Sequence, residues 1–142
     1  MNPDIDSRIL TAACSIVRKQ VDKLAGHLHG LNQPDDIEAV HQARVACRRI
    51  RQAFAFFGDC FDQEQMADWN KATKKLLQQL SSARDLDVHA AFLRTFIDEL
   101  IGNNKKTRPG LERLVLRIQQ RRQQVQDDVI RAVDRFQKKK IL

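Results

Sequence analysis

Apolar residues recur along most of this chain at intervals of three or four positions, the spacing of one face of an α-helix. Only five glycines and three prolines are present, and they stand between these periodic segments. No segment alternates with a period of two, and no glycine-containing hairpin dipeptide separates two apolar segments. The pattern predicts an all-α protein.

The periodic segments predict an antiparallel bundle of about four to five helices in a single domain over residues 1–142. The predicted helices span residues 4–28, 36–57, 63–80, 85–101 and 111–136. Asp35 is the expected N-cap of the second helix and Asp85 that of the fourth. Gly58 ends the second helix, and a polar loop before Gly110 precedes the long C-terminal helix.

Each predicted helix carries one apolar stripe. The stripes are Ile5, Ile9, Ala12, Ile16 and Leu24; Ala43, Cys47, Ile50, Phe54 and Phe57; Met66, Trp69, Thr73, Leu76, Leu77 and Leu80; Val88, Phe92, Phe96 and Leu100; and Leu114, Ile118, Val125, Val129 and Phe136. His89 falls on the apolar side of the fourth helix and is expected in the core. Arg122 interrupts the last stripe and is expected at a helix kink or a subunit contact.

The second helix also carries a face of positive charge. Residues 40–51 read Val-His-Gln-Ala-Arg-Val-Ala-Cys-Arg-Arg-Ile-Arg, and no acidic residue occurs between Glu38 and Asp59. At about 100° per residue, His41, Arg44 and Arg48 share one narrow sector, which Arg49 and Arg51 flank. Like charges at helical spacing repel each other by a few tenths of a kcal/mol per pair. This face is therefore expected to bind a phosphate or carboxylate from elsewhere.

The formal net charge of +7 indicates a polyanionic partner, such as nucleic acid, a phosphate polymer or an anionic membrane. No apolar run approaches the roughly twenty residues of a membrane span. Residues 1–8 include Asp4 and Asp6 and lack the basic and apolar regions of a signal peptide. The three cysteines are scattered and form no CxxC pair, as expected in a reducing compartment. We expect a soluble, cytoplasmic protein without a membrane partner.

Two segments resemble the signatures of the CHAD family, the conserved histidine α-helical domain. The first is V-H-x-x-R-V-x-x-R-R-x-R at residues 40–51, and the second is Ala-Arg-Asp-Leu-Asp-Val at residues 83–88. Lys74 resembles a lysine that precedes the second signature in the family. The motif resemblance covers roughly residues 37–88, and the helix pattern extends it to the rest of the chain.

The resemblance implies a helical protein that binds inorganic polyphosphate through a basic surface, and some family members associate with polyphosphate granules. It implies that Arg84 reaches the anion and that Asp85 or Asp87 orients a basic neighbour. The chain departs from the family in having Ser81 where a glycine is usual, and in being long enough for one bundle where full-length members have two. We therefore expect half a site, which a homodimer would complete.

The expected polyphosphate-binding residues are His41, Arg44, Arg48, Arg49, Arg51, Lys74, Arg84, Arg113 and Arg117. Arg113 and Arg117 belong to this set on the condition that the last helix packs beside the second. His41 is expected to donate a hydrogen bond to phosphate, which would favour the protonated imidazole.

The sequence contains no nucleophile-base pair, no HExxH or GxxxxGK[ST] motif and no paired carboxylates, so we expect neither catalysis nor a cofactor or metal site. One alternative is a nucleic-acid-binding module, against which stand the expected lack of exposed aromatic residues for base stacking and of a recognition helix. The other is an enzyme or accessory subunit that acts on phosphate polymers with a divalent metal.

Overall fold

A computed structural model of the chain describes residues 6–141. Within that range the chain forms no strand and four α-helices: α1 (Ser7–Leu28), α2 (Ile37–Phe57), α3 (Gln63–Phe96) and α4 (Arg108–Lys138). Short 3₁₀ turns connect the first three helices, and a π-helical turn at Ile97–Ile101 continues α3. The all-α fold and its long C-terminal helix are confirmed. The predicted helix start at Asp4, and Ile5 of the first stripe, lie outside the described residues.

Each helix packs against the next one in the chain, in antiparallel order. Two sets of cross-helix contacts fix this order. Arg51 of α2 lies beside Asn70 of α3. Arg122 of α4 contacts Asp87 in the second half of α3, and Lys139, just after the end of α4, contacts Asp68 near the start of α3. Buried side chains of all four helices form one hydrophobic core. The predicted stripes of α2 and of the first half of α3 lie in this core, with Phe57 and Leu77 partly covered.

Aspartate side chains begin three of the helices by accepting a hydrogen bond from a backbone amide of the first turn. The cap of α2 is Asp36, whose Oδ1 lies 2.9 Å from the amide of Ala39, so the predicted cap at Asp35 is wrong by one residue. Gly30, in the 3₁₀ turn after α1, permits the close approach of that turn to the start of α2. A Cβ atom at position 30 would lie 2.6 Å from the Cβ of Ala39, closer than two carbon atoms can approach.

The prediction of separate helices at residues 63–80 and 85–101 is wrong, because α3 is continuous from Gln63 to Phe96. Residues 81–84 contain no glycine or proline, so nothing in the backbone ends the helix there. The buried face also continues without a break, through Leu80, Ala83, Asp87 and Ala90. Asp85 lies exposed in the middle of this helix and caps nothing.

The predicted core stripe of residues 88–100 is wrong for a related reason. Val88, Phe92 and Leu100 are exposed, with Phe92 at 65% and Leu100 at 71%, and His89 is exposed as well. Because α2 runs antiparallel to α3 and begins at Ile37, it ends its cover of α3 near residue 88. Beyond that point α3 and the π-helical turn that continues it pack on α4, through Ala90 and Ile97. The end of the α3–α4 hairpin thus extends past the four-helix core.

The predicted apolar stripes of the first and last helices differ in detail from the buried faces of α1 and α4. The buried face of α1 consists of Ala13, Val17, Leu24 and Leu28, whereas the predicted Ile9, Ala12 and Ile16 are exposed. In α4, Val125, Val129 and Phe136 are buried as predicted, but Leu114 is exposed because it lies in the extended part of the hairpin. No helix within residues 6–141 is long and apolar enough to cross a membrane.

Candidate functional site

Three of the predicted site residues line one groove between α2 and α3, which we call the α2–α3 groove. Arg44, Arg48 and Arg51 form its α2 side, and Leu77 and Ser81 form its α3 side. The groove encloses about 370 Å³. These three arginines recur every three or four residues on the flank of α2 beside α3, because the apolar residues of α2 occupy the face that is buried in the core. Helical periodicity therefore directs three guanidinium groups into one opening.

Among the residues that the structure describes, the arginines of this groove have no carboxylate partner. Five ion pairs form among residues 6–141, and none of them involves Arg44, Arg48 or Arg51. Arg51 donates from Nε to Oδ1 of Asn70 at 3.4 Å, which orients its side chain along α3 without neutralising it. Each guanidinium retains donors in a planar fork that matches the oxygens of a phosphate group.

Three further predicted residues lie at the margins of the groove. His41 is half-buried one helical turn before Arg44. Arg84 is half-buried one turn after Ser81, and the exposed Lys74 precedes Leu77 by one turn. The first signature therefore faces Leu77 and Ser81, just before the second signature, which itself lies opposite the start of α2. The second signature lies in the middle of a continuous helix and not at the start of a separate one.

The remaining predicted cations lie elsewhere. Arg49 is exposed and is not among the residues that line the α2–α3 groove. Arg113 and Arg117 are exposed on α4, which packs along α3 and not along α2. Arg113 and Arg117 were expected at the site only if the last helix packs beside the second. Because α4 packs along α3 instead, these two arginines do not join the α2–α3 groove.

A buried polar network supports the second signature from behind. Arg122 donates from Nε to Oδ1 of Asp87 at 2.9 Å and from Nη1 to Oε1 of Gln126 at 2.8 Å. Gln126 then donates to the backbone carbonyl of Leu31 at 2.6 Å. Burial raises the pKa of Asp87, and the charge of Arg122 acts in the opposite direction. The network ties α4 to α3 and to the turn that precedes α2.

Arg122, predicted at a helix kink or a subunit contact, instead forms an ion pair inside the bundle. Asp87 orients a basic neighbour, as the resemblance implied, and that neighbour is Arg122. Asp87 and Arg122 each interrupt an apolar stripe with a charge. That shared irregularity was the only feature of the sequence that linked them.

Sequence reasoning missed a second group of cations between α3 and α4. A cavity of about 640 Å³ opens between these helices, and we call it the α3–α4 groove. Its cationic side chains are Lys71, Lys74, Lys75, Arg135, Lys138 and Lys139. The shared sector of Lys71 and Lys74 on the third helix is visible in the sequence, but its position opposite the end of α4 required knowledge of the packing.

The chemistry available in these grooves is that of cationic hydrogen-bond donors. Among residues 6–141, no three His, Cys, Asp or Glu side chains converge in an arrangement that could hold a metal ion. Cys47 lies within the first signature, but burial raises its pKa to about 12, so it remains a protonated thiol in the core. The arrangement suits the binding of an anion with several negative groups.

The fold and these grooves define a helical domain whose outer surface presents clustered cations. The chain belongs to the CHAD family, since the CHAD domain matches it over residues 15–142, nearly its whole length. In general terms this domain is known to bind polyphosphate. Comparisons with curated proteins and with solved structures found no match.

Proposed function

We propose that this protein binds inorganic polyphosphate through the α2–α3 groove and does not chemically change it. The observation that carries the proposal is the convergence of Arg44, Arg48 and Arg51 in one groove without a carboxylate partner among the described residues. His41, Lys74 and Arg84 add donors at its margins. Membership of the CHAD family supports the same ligand.

The spacing of these donors favours a polymer over a single phosphate ion. Arg44 and Arg51 are seven residues apart on one helix, which separates their Cα atoms by about 10 Å along the axis at 1.5 Å per residue. One phosphate ion cannot span that separation, whereas successive phosphates of a chain can. A bound chain would also neutralise the mutual repulsion of the arginines.

Nucleic acid is the alternative ligand, because its phosphates offer the same charges. The expectation that the protein lacks exposed aromatic residues is wrong, since Phe56 is 87% exposed and Phe92 is 65% exposed. Neither ring lines the α2–α3 groove or the α3–α4 groove. A base stacked on either ring would therefore leave its phosphates away from the arginines, and we favour polyphosphate.

The proposal extends to a homodimer. A single groove contacts only one stretch of a long polymer, and a second copy would supply a groove for another stretch of the same polymer. Val88 and Phe92 of α3, with Leu100 of the π-helical turn that continues it, form an exposed apolar stripe beyond the end of α2. The ring of Phe92 stacks on that of Phe96 with centroids 6.2 Å apart. A two-fold axis through this stripe would bury it against itself and keep the two cationic grooves apart, which avoids their repulsion.

The binding proposal is tested by calorimetric titration of the protein with long-chain polyphosphate. We expect tight binding by the wild type and strong loss in Arg44→Ala/Arg48→Ala. The matched control is Lys19→Ala/Lys23→Ala, which removes two exposed charges from α1 outside both grooves. Equal loss in both variants would show that net charge alone drives binding. Displacement of polyphosphate by an equal phosphate concentration of single-stranded DNA would favour the alternative ligand.

Catalysis is tested in the same samples. We expect the polymer to keep its length, and no orthophosphate to appear, during incubation with magnesium or manganese. Time-dependent phosphate release that disappears in Arg44→Ala/Arg48→Ala would instead identify an enzyme that acts on the polymer.

A further inference from the structure

We infer that the α3–α4 groove is a second polyphosphate subsite, and that one polymer crosses the outer face of α3 at Lys74 to occupy both grooves. This inference rests on the proposed function. It adds Lys71, Lys75, Arg135 and Lys138, which no motif of the sequence assigns, to the binding surface.

The first reason is the composition of the α3–α4 groove. Six cationic side chains line it together with a single carboxylate, that of Asp68. Asp68 is paired with Lys139 at 2.8 Å, and the hydrogen bond and charge of Lys139 lower the pKa of Asp68. Among the described residues, no ion pair involves Lys71, Lys74, Lys75, Arg135 or Lys138. The groove therefore has a large excess of positive charge.

Helix electrostatics explain only part of this cluster. Arg135 and Lys138 lie in the last turn of α4, where the helix macrodipole favours cations. Lys71, Lys74 and Lys75 lie in the first half of α3, where the macrodipole gives no such benefit, and they repel one another at spacings of three and four residues. These three lysines accordingly leave a local electrostatic cost that a bound polyanion would remove.

The second reason is continuity between the grooves. Lys74 lines the α3–α4 groove, and Leu77, one turn later on the same helix, lines the α2–α3 groove. Only the outer face of α3 separates the two openings, a width of about 10 Å for a helix with its side chains. Lys74 lies one turn after Asn70, the partner of Arg51, so it stands between the Arg51 end of the α2–α3 groove and Arg135 of α4. A flexible polymer that leaves one groove therefore meets a cation before it enters the other.

This arrangement predicts a dependence on polymer length that each groove alone would not produce. A short chain such as tripolyphosphate fills one groove, whereas a long chain engages both, and the second contact is then intramolecular. Removal of cations from the α3–α4 groove should weaken the binding of the long chain much more than that of a short chain held by the arginines of α2.

The test is a titration of wild type, Arg135→Ala/Lys138→Ala and Lys19→Ala/Lys23→Ala with tripolyphosphate and with long-chain polyphosphate. All substituted residues are exposed, and circular dichroism checks their folding. We expect Arg135→Ala/Lys138→Ala to weaken long-chain binding about ten-fold or more, since it removes two charged hydrogen-bond donors from the second contact of the long chain. Its tripolyphosphate binding, and both affinities of the control, should stay near wild type.

A gain of affinity gives a second readout. Asp68→Asn removes the carboxylate that competes with phosphate for Lys139, and we expect it to tighten long-chain binding about three-fold, within the range of an exposed ion pair. Wild-type affinity of both Arg135→Ala/Lys138→Ala and Asp68→Asn for the long chain would overturn the second subsite. The proposed function would survive that result if Arg44→Ala/Arg48→Ala still lost binding. No binding of long chains by wild type would overturn both.

Discussion

Asp87 and Arg122 form an ion pair at 2.9 Å in which both side chains are less than a tenth exposed, the most buried of the five ion pairs among residues 6–141. Asp87 belongs to the second signature, and Arg122 lies thirty-five residues later on α4. Through Gln126 the pair is linked to the backbone carbonyl of Leu31, which lies in the 3₁₀ turn before α2. It therefore connects the two helices of the α2–α3 groove through the interior of the bundle.

The first prediction concerns the stability of this pair. We expect Asp87→Ala to lower the free energy of unfolding by about 3 kcal/mol, because it removes the acceptor to which Arg122 Nε donates and leaves a buried charged donor unsatisfied. The double variant Asp87→Leu/Arg122→Met replaces both charges by apolar groups and should recover most of that loss. Urea denaturation of the single and double variants measures both values. If the double variant lost as much unfolding free energy as the two single substitutions lose together, that result would contradict the coupling of Asp87 and Arg122.

The second prediction concerns pH. Because burial raises the pKa of Asp87, the folded protein binds the proton of the Asp87 carboxyl group more tightly than the unfolded chain does. The stabilisation from protonated Asp87 is fully present at pH values below the ordinary aspartate pKa of about 3.9. It is lost as the pH rises through the raised pKa of Asp87 in the folded protein. We expect the free energy of unfolding of the wild type to decline relative to that of Asp87→Asn as pH rises from about 4. A constant difference across closely spaced pH values would show that Asp87 titrates normally.

The third prediction concerns single arginines of the α2–α3 groove. Arg44→Ala or Arg48→Ala should each weaken polyphosphate binding by about 1–3 kcal/mol, the range for hydrogen bonds to charged groups. Neither change should alter the unfolding midpoint by much, because both side chains point away from the core. Calorimetric titration and thermal melts of the same samples provide the two readouts. Unfolding of either variant, with normal affinity in the folded fraction, would show that the face was assigned wrongly.

The fourth prediction concerns the apolar stripe at residues 88–100. Light scattering should report a homodimer at micromolar concentration in the presence of polyphosphate, and Phe92→Glu should convert it to a monomer. Phe56→Glu is the matched control, since Phe56 is also exposed but lies at the opposite end of the bundle, outside the stripe. A wild-type monomer with and without the polymer would refute the dimer and leave a single-copy site.

Local features of the sequence predicted the parts of the fold that depend on one helix at a time. The core face of α2 and the cationic flank that carries Arg44 and Arg48 both follow from helical periodicity, and the structure places them as expected. The predicted helix start at Asp85 is wrong because an aspartate is equally compatible with an N-cap position and with an exposed position inside a helix. Only packing distinguishes the two, and α4 continues to cover α3 past that point.

Features that depend on which helices meet could not be predicted in the same way. The exposure of Phe92 follows from the level at which α2 begins beside α3, which no pattern within residues 88–100 encodes. The α3–α4 groove likewise brings Lys71 and Arg135 together from positions sixty-four residues apart. Helical periodicity identifies the cationic face of a single helix, such as that of Lys71 and Lys74, but it does not show which faces of different helices meet.

The central claim is that an extended cationic surface binds a phosphate polymer, and titration of the wild type with phosphates of graded length tests it most directly. At fixed total phosphate, the affinity should rise steeply from orthophosphate through tripolyphosphate to long chains, and it should fall as salt increases because bound counterions are released. The rise should be steepest at low ionic strength, where surface charges are least screened. Equal affinity for orthophosphate and for the long polymer, at either salt concentration, would contradict the account.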